Sequence, residues 1–359
     1  SRNEVIMKKI GISLIFTMLF CSTVSAYNPP INGETFFEYA SPKLLSGTLS
    51  TAGGGIFTMS PESIVLNPAI TAKEQRTDLN VAYTALISGN EVSQLQKKAY
   101  GNIIQSSILI PSKLYIFTGL VNFTSAYFDE MELGSSLNVK ANLSKEITEG
   151  LDVGLGLNAG FLFTADFDWS LSANIGALVR LGDLGFLKDF RIGASINNLG
   201  KVYTNAASIR PVNVYNATSP FPSFCYIRTG AAALFVSTDV LKLGMSLDLE
   251  TPCFQNLLVS TALNFSVKDQ LFITIQEKIN IYELANMYAQ FIPSVGISYK
   301  FRFNVNNAYL EKNDWSESEM RVSTAYKNAY DTVNAISADV DITLGLKDET
   351  PPVIQLWEE

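Results

Sequence analysis

From Leu151 to Phe163 every second residue is apolar, in the order Leu151, Val153, Leu155, Leu157, Ala159, Phe161 and Phe163, while Asp152, Gly154, Gly156, Asn158 and Gly160 stand between them. A period of two is the signature of a β-strand, whose successive side chains point to opposite faces. The pattern recurs. Leu241, Leu243, Met245, Leu247 and Leu249 alternate with Lys242, Gly244, Ser246 and Asp248, and Leu133 to Leu143, Trp169 to Leu181, Phe190 to Ile196 and Leu257 to Phe265 repeat it. The expected strands that hold these segments run to about 11 to 15 residues, against about five or six for an average soluble strand and about nine to eleven for a strand tilted across a bilayer. Strands of a soluble sandwich would be shorter and would turn their polar face to water. The lengths fit a wall whose apolar face meets lipid and whose Gly, Ser, Asn and Lys face lines a lumen. Tyr115, Tyr127, Trp169, Tyr203 and Tyr226, near strand ends, would form the interfacial aromatic belts.

Twelve such strands are expected between Asp78 and Phe303. Short turns such as Pro111 to Lys113 and Lys268 to Gln270 belong on the periplasmic side, and longer connections such as Thr204 to Pro222 on the outside. An even number of strands leaves both barrel ends in the periplasm.

The N-terminus carries an address. Met7 is followed by Lys8 and Lys9, an apolar run from Ile10 to Phe20, and the small residues Ser22 to Ala26, so residues 1–26 are expected to hold a signal peptide cleaved after Ala26. Phe20 in front of Cys21 argues against lipoprotein processing. No run of 18 or more apolar residues follows Ala26, which leaves a secreted protein or a barrel.

Charged residues make up 17% of the chain, below the roughly 25% of soluble domains. The chain has no histidine, which removes Ser-His-Asp and Cys-His chemistry and imidazole metal ligation. A net charge of -8 gives no basic field for nucleic acid. No catalytic constellation is legible, so the chain is expected to be no enzyme and to need neither cofactor nor metal.

A hairpin turning about Asp239 would set Cys225 opposite Cys253, and a cross-strand disulfide at the outer rim is expected. A register slip by one would leave two unpaired buried thiols instead. Gly296 to Phe301, with its glycine and the aromatic Tyr299 and Phe301, resembles the closing strand that the β-barrel assembly machinery reads in outer-membrane barrels, although the chain continues to Glu359. Beyond Asn304 the alternation stops. Ser316 with Glu319 forms a capping box, and Val322, Tyr326, Ala329, Tyr330, Val333 and Ile336 recur at helical spacing. Residues 305–359 are thus expected to be a periplasmic extension with an amphipathic helix of about twenty residues, an anchor against the barrel or a periplasmic protein partner. Asp348 to Ile354 reads as a linker into a further strand.

Ahead of the first strand lie Gly53-Gly54-Gly55-Ile56 and then Asn67-Pro68-Ala69. That order resembles the N-terminal hatch of the FadL-like family, the long-chain fatty-acid transporters and their spirochaetal relatives. Asn198-Leu199-Gly200, closing the stretch from Ile192, looks like the strand-ending pattern of the relatives nearest the Bacteroidetes secretion-associated barrels. The resemblance spans about residues 26–304. It implies an all-β, transmembrane antiparallel barrel of 12 to 14 strands over residues 78–304, in contact with outer-membrane lipid, with residues 27–77 as a hatch. A hydrophobic small-molecule ligand such as a long-chain fatty acid would pass the hatch toward the periplasm or the bilayer. Glycines can adopt backbone conformations closed to other residues, which suits a segment that bends tightly inside a lumen. A general diffusion porin, and a structural or secretion-partner barrel anchoring a periplasmic complex, are the alternative functions.

Overall fold

The structure, a computed structural model, describes residues 33–92, 97–127, 132–163, 167–203, 224–286, 291–303, 318–330 and 333–344. The expected signal peptide, Cys21, the Ser316 cap and the linker from Asp348 lie outside the described residues.

Fourteen strands follow a helical N-terminal segment: β1 (Asp78–Val92), β2 (Lys97–Pro111), β3 (Ile116–Tyr127), β4 (Glu132–Thr148), β5 (Leu151–Phe163), β6 (Phe167–Leu184), β7 (Leu187–Lys201), β8 (Tyr226–Ser237), β9 (Leu241–Pro252), β10 (Leu258–Val267), β11 (Leu271–Asn280), β12 (Ser294–Phe303), β13 (Ser318–Tyr330) and β14 (Val333–Thr343). Each pairs antiparallel with the next, and β14 pairs with β1, with Asp78 opposite Thr343 and Ser88 opposite Val333, so the barrel is closed and has no free edge. Strands of 10 to 18 residues are long enough to cross a bilayer at a tilt. No helix among the described residues is long and apolar enough to do so.

Alternation sorts the side chains as the pleat demands. In β5 Leu155 and Leu157 are 62% and 61% exposed on the outside, while Asp152 is buried inside and Gly154 and Gly156 share its face. An apolar outer surface continuous around fourteen strands is untenable in water and is the expected face toward lipid. This is an outer-membrane β-barrel. At the end where β1 begins and β14 stops, the strands turn within a few residues, as between Thr148 and Leu151 and between Leu184 and Leu187. This terminal end is distinguished below from the outer end.

Two expectations are corrected. The residues read as an amphipathic helix, Val322 to Ile336, form the hairpin β13–β14 that completes the wall, which raises the strand count from twelve to fourteen and removes the helical surface offered to a periplasmic partner. A spacing of four is also a multiple of two. Val322 and Tyr326 therefore share the lipid face of a strand as readily as one stripe of a helix, and Ser323, Ala325 and Ala329 turn inward between and beyond them. Gly296, Tyr299 and Phe301 are likewise not on the closing strand: they lie in β12, hydrogen-bonded to β11 on one side and β13 on the other. Tyr299 and Phe301 face outward with their rings edge to face at 5.0 Å.

Candidate functional site: the lumen and its N-terminal plug

Residues 33–73 lie inside the barrel as a chain of short turns. Gly33–Ala40, Pro61–Val65 and Ile70–Lys73 are 3-10 helices and Pro42–Leu45 is a single α-helical turn. Pro42 and Pro61 sit at first helical positions, where the missing N–H costs nothing, and the Ser41 hydroxyl accepts from the Leu44 N–H at 3.4 Å. Between the turns, Gly53 and Gly54 have φ of 88° and 87°, a region glycine enters without strain.

A buried segment with so little regular structure must find partners for its backbone elsewhere, and the wall supplies them. Arg191 of β7, fully buried, donates to the carbonyls of Ala52 at 3.0 Å, Gly54 at 2.8 Å and Gly55 at 3.4 Å. Its guanidinium lies 4.7 Å from the Phe57 ring centre, and Arg180 lies 5.2 Å from it. Asp248 of β9 accepts from the N–H and hydroxyl of Thr51, Asn264 of β10 accepts from the Gly55 N–H, and Thr84 of β1 donates to the Tyr39 carbonyl.

The expected hatch residues meet at this seam. Asn67 donates to the carbonyls of Thr51 at 2.9 Å and Ala177 at 3.0 Å and accepts from the Ala69 N–H, while Asn142 of β4 donates to the Pro68 carbonyl. Lumen-facing glycines make the room. A Cβ on Gly154 would strike the Pro68 carbonyl, one on Gly176 the Asn67 side chain, one on Gly193 the Thr51 carbonyl, and one on Gly244 the Gly55 carbonyl. Gly296 belongs to the same belt, beneath Ser46. The strand-ending motif Asn198-Leu199-Gly200 forms a bulge in β7: Asn198 has φ 61°, its N–H reaches the Asn174 side chain, and the pairing with β6 skips a residue there.

Two ionic clusters fasten the plug. Toward the terminal end, Lys43 lies 3.1 Å from Glu62 and 3.5 Å from Asp339, pairs with Asp341, and donates to Ser60 at 3.0 Å. Carboxylate oxygens of Glu62, Asp339 and Asp341 lie within 4.8 Å of one another, a spacing that would suit a metal ion, but the Lys43 ammonium already stands among them as their cation. Burial works against the charge on Lys43, yet Asp339, Asp341 and Glu62 hold its pKa above the ordinary lysine value. Burial drives Glu62 up to about 7 despite Lys43, with Asp341 and Asp339 adding to the rise. A cavity of 410 Å3 opens beside this cluster, bounded by Phe57, Arg76, Phe272, Lys300 and Arg321.

Toward the outer end, Glu38 is bound by Arg228 of β8 at 2.8 Å and by Lys278 of β11 at 2.8 Å, and both cations also pair with Glu250 of β9. Burial opposes ionisation of Glu38, but Lys278 and then Arg228, by charge and hydrogen bond, bring it down to about 2. Beside it, Phe36, Tyr39, Ala40 and Leu45 pack on an apolar stretch of wall built from Leu86, Ile103, Ala126, Ala325, Ala329, Val333 and Ala335.

Cys225 and Cys253 do stand opposite one another, since Tyr226 pairs with Pro252 and the Cys253 N–H donates to the Cys225 carbonyl at 3.1 Å. Contrary to expectation the two thiols are not bonded in this structure. Both residues have left the ladder with positive φ, 53° and 48°, which turns their Cβ atoms away from the pleat. Glu38, Lys43, Glu62, Arg191, Arg228 and Lys278 were missed in the sequence. The available signal was a charged residue on the polar face of an alternating strand, as Arg228 and Lys278 are.

No protein-family model matches the sequence, and no curated protein matches it. Solved structures do. A TodX monoaromatic hydrocarbon channel with deletions in S2 and S3 superposes with a TM-score of 0.51 at 9% identity, over 84% of this chain and 98% of that one. The CymD monoaromatic hydrocarbon channel gives 0.50 at 10% identity, over 90% and 98%. A Pseudomonas aeruginosa FadL homologue gives 0.47 at 11% identity, over 85% and 98%. The chain has the fold of the FadL-like outer-membrane channels, the architecture of TodX and CymD.

Proposed function

We propose that this barrel is a channel by which hydrophobic small molecules, long-chain fatty acids among them, cross the outer membrane, with residues 33–73 as its gate. The observation that carries the reading is the apolar stretch of lumen wall at the outer end, Leu86, Ile103, Ala126, Ala325, Ala329, Val333 and Ala335, the broadest apolar patch on a wall whose other inward side chains are mostly polar or charged. A diffusion porin needs a wet, open interior and has no use for such a patch. The plug is held to the wall by hydrogen bonds and ion pairs, contacts that exchange with water when the segment shifts, which suits a part that moves. That TodX and CymD are monoaromatic hydrocarbon channels supports a hydrophobic cargo for a barrel of this shape. Insertion by the β-barrel assembly machinery belongs to the same reading.

The test is transfer in reconstituted vesicles. The purified protein is expected to bind and pass a fluorescent long-chain fatty acid while excluding small sugars. Free passage of sugars without fatty-acid binding would replace the proposal with a general porin.

A further inference from the structure

At the terminal end, β11 to β14, the approach to β1 and the plug enclose the cavity of 410 Å3. Arg321 of β13 stands in register between Lys300 of β12 and Asp341 of β14, and its guanidinium lies 4.3 Å from the ring centre of Phe272. A guanidinium over an aromatic face still needs acceptors at its edge, yet Nε and Nη2 of Arg321 are buried and meet none. The carboxylate beside it in the ladder is taken, because Asp341 pairs with Lys43. Glu319 is likewise shared by Lys300 at 3.9 Å and Arg302 at 3.3 Å, and Glu74 accepts from the N–H groups of Gln75 and Arg76. Among the described residues, the side chains of Arg321 and Arg76 enter no ion pair. A lysine or a carboxylate so placed could shed its charge, but a guanidinium cannot. Two permanent cations therefore line one cavity without a carboxylate in ion-pair contact.

We propose that this cavity is a carboxylate site on the terminal side of the plug, in which Arg321 and Arg76 receive the head group of an amphipathic acid and Phe57, Met59 and Phe272 its apolar body. The inference rests on the channel reading above and names the place where cargo lodges once it has passed the gate. The volume falls within the roughly 300 to 1,000 Å3 of small-molecule sites, and the lining joins apolar side chains to a few charged ones as such sites do. A carboxylate suits guanidinium donors because it accepts two of them side by side. Glu74 and Asp78 face the same cavity outside any ion pair, and the Asp78 Oδ1 has no partner. A second negative charge on the ligand would be repelled by them. The site thus prefers a carboxylate to a phosphate monoester, which carries about −1.5 to −2 at neutral pH.

Octanoate, octanol and octyl phosphate are offered to the full-length protein in detergent, and modification of each arginine by phenylglyoxal is followed by mass spectrometry. Octanoate is expected to slow modification of Arg76 about tenfold, octyl phosphate less, and octanol not at all. Arg321→Gln is expected to weaken octanoate about tenfold and so to remove most of the protection of Arg76. Arg76→Gln lies ahead of β1 and outside the ladder, so it carries the test should the wall variant fail to fold. It should weaken octanoate, measured by calorimetry, by a similar factor and leave octanol unchanged. Equal protection by octanol and octanoate, or protection by neither, in a protein that still transfers fluorescent fatty acid would overturn the carboxylate site and leave the channel reading standing. Octyl phosphate protecting better than octanoate would overturn the choice of a carboxylate. Protection by octanoate in a protein that transfers no fatty acid would remove the channel reading and keep the site.

Discussion

Gly154 of β5 lies directly against the Pro68 carbonyl of the plug, so close that a Cβ at position 154 would overlap it. Both partners there are main chain, in a ladder strand and in a turn pinned by Asn67 and Asn142, and neither can yield as a flexible side chain would. Gly154→Leu should therefore unseat the plug and spare the barrel, since the lipid face of β5 is untouched. Overpacking of this kind costs about 1 to 3 kcal/mol, enough to raise the unseated population on the order of ten- to a hundredfold. Single-channel conductance should show more frequent and larger openings than wild type. A variant as silent as wild type would mean that the plug does not seal at this contact.

Much of the wall was legible because one strand is a local pattern. Leu151 to Phe163 needs only its own alternation to declare a two-faced strand, and the same holds for Leu241 to Leu249. The hairpin β13–β14 was misread because Val322 and Tyr326, four apart, satisfy both periods, and the Ala and Ser residues between them carry little contrast. The glycine run and Asn67-Pro68-Ala69 were legible as a bend, but their contacts with Gly154, Gly176 and Gly244 were not. Nothing local links Glu38 to Arg228 or Lys278, separated by 190 and 240 positions. Such pairs become neighbours only when the wall closes around the plug.

The corrected strand count makes residues beyond Asn304 indispensable. Deleting residues 305–359 would remove β13 and β14 and leave β1 and β12 as unpaired edges in hydrocarbon, where each orphaned backbone group costs several kcal/mol. The truncated chain is expected to be lost from the membrane and to give no heat-modifiable band on a semi-native gel. Normal recovery of a folded barrel from such a truncation would mean that β13 and β14 are not part of its wall.

The facing cysteines predict a latent cross-link. With the Cys253 N–H on the Cys225 carbonyl, the two backbones are already at strand-pair distance, and a local backbone adjustment at the partly exposed rim that swings the two Cβ atoms toward each other is what a bond requires. Incubation with oxidised glutathione should convert the two thiols to one disulfide with release of two equivalents of reduced glutathione, and digestion should then yield a single linked peptide containing both residues. Closing a loop of about 27 residues should then slow thermal unfolding, for a gain of about 3 kcal/mol. Persistence of two alkylatable thiols after oxidation would show that positive φ at both positions holds them apart.

Glu62 and Glu38 should make the two ends of the plug respond to pH in opposite senses. Burial puts Glu62 at about 7, above the ordinary 4.5, so its contribution favours the seated plug most fully below about pH 4.5 and is lost as pH rises through 7. The groups that face it are Lys43 on the plug, Asp339 and Asp341 on β14, Asp78 on β1 and Arg321 on β13. Glu38, at about 2, contributes above 4.5 and loses hold only as pH falls toward 2. Between pH 5.5 and 8 the inner turn should loosen while the outer segment stays in place. Hydrogen exchange, corrected for intrinsic rates, should show faster opening at the Leu66 and Asn67 amides, both bonded to the Ser63 carbonyl at 3.0 Å, and little change over residues 35–40. Glu62→Gln, which cannot ionise, should abolish the rise. An unaltered pH response in that variant would assign the titration to another member of the cluster.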